Sequence, residues 1–277
     1  MRCETTADAA AFWDLASGFL LRDPVVNSVM LTGATARRDG VTVGPAPATY
    51  AAVLDDGGAV VGAAMRTPPF GIYVSPMPSG AIAPLADEMV SICPDAPGVS
   101  GTTAEAEAFA SAWVRRTATT AVVVMRQRIH RLDAVTVPAA PPGRWRPAGP
   151  SDRDLLVGWS EAFQRETGAV ERGVAADVDT RLAQRRAFVW IDGAVVSYTG
   201  TSMSVASFVR VGPVYTPPER RGRGYATALV AAVSQHALDA GAVACSLYTD
   251  LDNPTSNRIY AAVGYRPVCD VDVYRFS

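Results

Sequence analysis

Midway along the chain runs VPAAPPGRWRPAGPSD, in which Pro138, Pro141, Pro142 and Pro147 alternate with Gly143 and Gly149. Proline locks φ and carries no N–H, so neither a helix nor a central strand continues through such a segment. A chain of 277 residues interrupted there is expected to fold as two domains of ordinary size. The boundary is placed near Pro142, giving domains at 1–140 and 144–277. Hydrophobic residues make up 49% and charged residues 19%, which leaves apolar surface for a core in each half.

An internal repeat supports the division. VLDDGGAVVGAAMRT in the first half and VWIDGAVVSYTGTSM in the second both read as hairpins turning at Asp-Gly, and they share Ala-Val-Val. FGIYVSP then stands where VGPVYTP stands, and a helix-like IAPLADEMVSI follows it. In the second half RWRP reads as a strand, and Ser151 or Asp152 as the cap of a helix to about Phe163. A helix near Ala175 to Arg185 precedes the hairpin. The strand ASFVRVGPVYTP is interrupted at Gly212-Pro213, where the missing ladder donor predicts a bulge or splay. An amphipathic helix closed by Gly241, the buried strand AVACSLYTD, a short helix from Asn253-Pro254 to Gly264, and the alternating strand DVDVYRF complete the order.

The formal net charge of -2 gives no electrostatic reason to bind nucleic acid or an anionic membrane. All 25 basic residues are arginine, which excludes a Schiff-base or P-loop lysine. Cys3, Cys93, Cys245 and Cys269 lie far apart without CxxC spacing and read as small hydrophobes in a reducing compartment, not as metal ligands. The acidic start MRCETTADAAAFWDL lacks the basic region of a signal peptide, and no apolar run is long enough to span a bilayer. A cytoplasmic location is expected.

Chemistry concentrates in PERRGRGYATALV, where Arg220, Arg221 and Arg223 surround Gly222 and Gly224 directly before a helix. A helix N-terminus presents unsatisfied N–H groups and partial positive charge, so it accepts phosphate. Glycines let the backbone approach the ligand, and arginines add bidentate donors. A P-loop needs the lysine this chain lacks. A dinucleotide fingerprint needs a third glycine where Thr227 stands. The run Arg221-Gly222-Arg223-Gly224-Tyr225-Ala226 instead resembles the [QR]-x-x-G-x-[GA] signature of the GNAT acyltransferase superfamily. Downstream, Asn253, Ser256, Tyr260, Gly264 and Tyr265 resemble its later motif N-x-x-S-x-x-x-Y-x-x-x-G-[FY].

The resemblance implies an α/β (α+β) fold of two tandem GNAT-like domains, each a mixed, mainly antiparallel twisted sheet flanked by helices. It implies acetyl-CoA as co-substrate and direct transfer to the amine of a small molecule or peptide. The cofactor would be held by Val214, Tyr215, Thr216, Arg221, Gly222, Arg223, Gly224, Tyr225, Ala226 and Thr227, with Asn253, Ser256 and Asn257 on the second motif. The backbone N–H of Val214 would hold the thioester carbonyl. Tyr260, with an ordinary pKa of about 10, would return a proton to the thiolate. Asn253 reads equally as a helix cap. No carboxylate stands on the splayed strand, so the base is Glu161, Glu166, Glu171 or water. His130 and His236 are placed away from the chemistry, and Arg210 reads as a carboxylate binder or a structural ion-pair member. SPMPSGAIAP, with one glycine and no arginine, predicts a degenerate first domain that walls the acceptor groove. Two alternatives stand beside the enzyme: a non-catalytic acyl-CoA sensor and a nucleotide-binding Rossmann module. Oligomeric state is left open.

Overall fold

The computed structural model describes residues 1–41, 46–139, 141–168 and 173–277. In chain order the elements are β1 (Arg2–Thr6), α1 (Ala9–Leu20), α2 (Ser28–Arg38), β2 (Thr49–Leu54), β3 (Val60–Arg66), β4 (Ile72–Val74), α3 (Ser79–Ile92), β5 (Gly98–Thr102), α4 (Thr103–Thr117) and β6 (Ala121–Leu132). There follow β7 (Arg144–Pro147), α5 (Arg153–Thr167), α6 (Val174–Ala183), β8 (Ala187–Asp192), β9 (Ala194–Thr201), β10 (Phe208–Tyr215), α7 (Tyr225–Asp239), β11 (Ala244–Asp250), α8 (Pro254–Val263) and β12 (Arg266–Phe276). The second set repeats the first: strand, two helices, three strands, helix, strand, helix, strand.

The chain divides into two compact units. Unit 1 comprises Met1–Ile129, Asp250–Asp252 and Val268–Ser277; unit 2 comprises His130–Thr249 and Asn253–Pro267. In unit 1, β1 to β4 pair antiparallel in succession, β5 joins β4 in parallel, and β12 pairs antiparallel with β5 over Val271–Arg275. The last strand, assigned by its position in the sequence to the second domain, therefore has its ladder partner in unit 1. Leu85 and Met89 from α3 and Phe109 and Trp113 from α4 are fully buried on one face of this sheet, and Phe276 stacks on Trp113 at 4.9 Å. These large apolar side chains form the core of that layer.

In unit 2, β7 to β10 pair antiparallel and β11 joins β10 in parallel. Period-two alternation sends side chains to opposite faces. Ala187, Val189 and Tyr198 pack with Leu156 of α5 and Val178 of α6, while Phe188, Trp190 and Val196 pack with Ala228, Leu229 and Val233 of α7. Both units thus carry mixed, mainly antiparallel sheets flanked by helices, the α/β class that the resemblance implied. Asp152 departs from its expected role. Its side chain does not cap α5; it accepts from Arg146 at 2.6 and 2.9 Å and from the Gly149 N–H at 2.8 Å. A buried carboxylate takes its strongest available donors, and a guanidinium outranks a helix N–H.

Candidate active site

Strand β10 is where the sheet of unit 2 opens. Toward β11 it pairs at Phe208–Ala244, Val209–Cys245 and Arg210–Ser246. Toward β9 it continues to Val214–Thr199 and Tyr215–Tyr198, across a bulge between Val211 and Val214. Among the described residues, then, β10 and β11 part beyond Arg210. Gly212 sits at the bulge with φ of 145°, a value closed to most L-residues. The predicted interruption is an opening on one side of the strand only.

Past Pro217 a single tight turn over Pro218–Arg220 redirects the chain, and α7 begins at Tyr225. Gly222 and Gly224 have φ of 75° and 81°. A Cβ on Gly222 would meet nothing within 4 Å, so conformation rather than crowding calls for glycine there. No side chain caps α7, and no acid lies in its first turn. Residues 221–224 are exposed, which leaves the loop and the first-turn N–H groups open to an anion.

The arginines do different work. Arg221 points back onto the scaffold: its Nε donates to the Thr216 carbonyl at 2.8 Å and its Nη2 to Glu166 at 2.6 Å. It also lies 5.7 Å from the Tyr215 ring. Tyr215 donates its hydroxyl to the same Glu166 at 3.1 Å, and burial, then this bond, raise its pKa. Arg223 makes no ion pair among the described residues. Tyr225 is buried, and its hydroxyl donates to Asp192 at 2.5 Å; only its backbone faces the loop. Ala226 and Thr227 follow, half-buried, in the first turn.

The second motif folds as α8. The Asn253 side chain accepts from the Ser256 N–H at 3.1 Å, the cap that was one of its two readings. Ser256 and Asn257 are half-buried beside it. Tyr260 is 8% exposed and packs with Val211 and Leu247, with Val214 at the edge of the same cluster. Burial pushes its pKa up to about 12. Its hydroxyl makes no hydrogen bond among the described residues, while the neighbouring Tyr265 hydroxyl is shared with Ser234 at 2.8 Å. Tyr260, Val214 and the parted strands therefore come together. The candidate bases separate: Glu166 is engaged by Arg221 and Tyr215, Glu161 is exposed on α5, and Glu171 lies outside the described residues. His236 packs against Trp145 at 5.2 Å in a tilted contact and against Phe188 at 5.7 Å edge-on, a packing role. His130 is buried at the start of unit 2.

Residues 153–265 match the family model described as the acetyltransferase (GNAT) family. Residues 153–265 are thus a GNAT-family acetyltransferase domain. No curated protein matches it by sequence. Among solved structures it resembles a GNAT-family acetyltransferase from Colwellia psychrerythraea, at 12% identity and TM-score 0.65 over 100% of this chain and 99% of that one. It resembles a GCN5-related N-acetyltransferase from Sphaerobacter thermophilus at 16% identity and TM-score 0.63, over 99% and 95%. A tandem GNAT protein from the clavulanic acid biosynthesis pathway gives 16% and 0.60, over 100% and 98%. These likenesses establish the fold.

The other GNAT-like half is closed where the GNAT domain is open. Strands β4 and β5 pair at Ile72–Val99 and Tyr73–Ser100, and a Cβ on Gly101 would lie 2.8 Å from the Val74 carbonyl oxygen. That spacing leaves no slot between them. At the start of α3 the Met1 side chain reaches within 3.7 Å of the position of a Cβ on Gly80. The pairing of Glu166 with Arg221, 55 residues apart, and the bond from Tyr225 to Asp192 of the hairpin turn carry no local sequence signal.

Proposed function

We propose that the protein is an N-acetyltransferase that moves an acetyl group from acetyl-CoA to the amine of a small molecule or peptide by direct attack. The observation that carries this reading is the conjunction, within one unit, of parted strands, an open arginine-glycine loop at a helix N-terminus, and an unengaged buried tyrosine hydroxyl. The loop fits a diphosphate: its left-handed glycines, exposed N–H groups and Arg223 supply donors and positive charge, while Arg221 braces the loop from behind. The freed edge of Val214–Thr216 fits an extended amide-bearing arm. Acetyl-CoA supplies the activated acyl group.

Within this arrangement the Val214 N–H orients the carbonyl. Tyr260, kept protonated by burial, donates its proton at Oη to the departing sulfur. The acceptor amine loses its proton to water or to Glu161. The first unit, with its slot closed, takes no coenzyme A. In a thiol-release assay, Tyr260→Phe should lower turnover at least tenfold while leaving calorimetric acetyl-CoA affinity within about threefold. Unchanged turnover would remove Tyr260 from the chemistry. The engagement of Glu166 by Arg221 and Tyr215 favours a second reading, an acyl-CoA sensor. That reading predicts tight acetyl-CoA uptake with no thiol release across amino acids, polyamines, aminoglycosides and peptides.

A further inference from the structure

We propose that unit 2 selects an acceptor carrying a small anionic group, carboxylate or phosphate, which Arg181 and Arg186 hold beside the bulge of β10. The proposal rests on the acetyl-transfer reading only for the word acceptor; the anion site stands on its own geometry. Arg181 projects from α6 across β9. Its Cδ and Nε lie 2.9 and 3.1 Å from the position a Cβ on Gly200 would take, and the Gly212 carbonyl oxygen lies 3.3 Å from that same point. Its stem thus crosses the strand opposite the bulge. Arg186 approaches the next residue: its Nη1 donates to the Thr201 carbonyl at 2.6 Å, and its own carbonyl accepts from the Thr201 N–H at 2.9 Å. The remaining side-chain bonds of Arg186 run to the neutral Gln184 amide.

Among the described residues no carboxylate lies within ion-pair distance of either guanidinium. Arg186 is depressed in pKa by burial and next by the charge of Arg181; Tyr198 and Asp177 oppose this less strongly. Two like charges held together without a matching acid are costly unless an anion completes them. A second observation points the same way. Tyr198 is fully buried, yet its hydroxyl has no hydrogen-bond partner. It precedes Gly200 by two residues on β9, so both face the α5–α6 side. An orphaned buried donor of this kind is costly, and a ligand oxygen would satisfy it. The site is also well placed, since Thr199, adjacent to Gly200, is the register partner of Val214. A small amine anchored there by its anion reaches the parted strands.

The test is calorimetric titration of the full chain with succinate and, separately, with inorganic phosphate, with and without saturating coenzyme A. One of the two anions should bind the wild type, and Arg181→Gln should weaken it at least tenfold. Arg181→Lys, which keeps the charge, should restore binding to within about threefold. Coenzyme A uptake by Arg181→Gln, unchanged, verifies the fold. Failure of both anions to bind the wild type, or equal binding by Arg181→Gln, overturns the proposal. Failure of coenzyme A to bind overturns the acetyl-transfer reading instead, while the anion arm still decides this one.

Discussion

Tyr260 illustrates how burial sets both chemistry and stability through one side chain. Its hydroxyl is held at about 12 against an ordinary value of about 10, with desolvation as the cause. The folded state therefore keeps its proton longer than the unfolded one. Its contribution is fully present below about pH 10 and is lost as pH rises toward 12. Alkaline unfolding followed by circular dichroism should show a shallower limb for Tyr260→Phe than for the wild type; identical limbs would mean that Tyr260 does not titrate on unfolding. Asp152 gives the opposite sign. Arg146, then the Gly149 N–H, hold its pKa below the usual range, so its stabilisation is present above about pH 4 and fades as pH falls. Asp152→Asn should cost about 1–3 kcal/mol at pH 7 by urea denaturation. The gap to wild type should narrow at pH 3.

At the level of single elements, β12 is the one whose position in the chain misleads. Its alternation DVDVYRF is plain, and the strand forms as expected. It pairs with β5, however, with Val271 opposite Thr102 and Arg275 opposite Gly98. Alternation records which face is buried but carries no information on which edge is joined, because ladder bonds run between backbones. Deleting residues 268–277 should therefore expose the amides of β5, more than 160 residues upstream, to rapid hydrogen exchange. Loss of protection at β5 with the β1 to β4 ladders retained is the expected pattern in the truncated chain; intact protection of β5 would contradict the pairing. Strand β10 was legible for the converse reason. Gly212-Pro213 announces its own break, since the missing N–H and the positive φ are properties of the residues themselves.

For the molecule as a whole, the repeated element order means that two similar units arise from one chain, and among the described residues the parted strands and the arginine-glycine loop lie in unit 2. Isothermal titration with coenzyme A should accordingly give one site per chain; a stoichiometry of two would place a second cradle in the first unit. The repeated element order could be read directly, because hairpin turns, helix caps and glycine-rich loops are written in consecutive residues. The meeting of Glu166 with Arg221 and of Arg181 with Gly200 could not be read so, and neither could the crossing of β12 into unit 1. Those depend on distances between segments far apart along the chain, which local preferences leave open and only packing fixes. The cradle belongs to the first kind, and the brace behind it and the arginine pair beside it to the second.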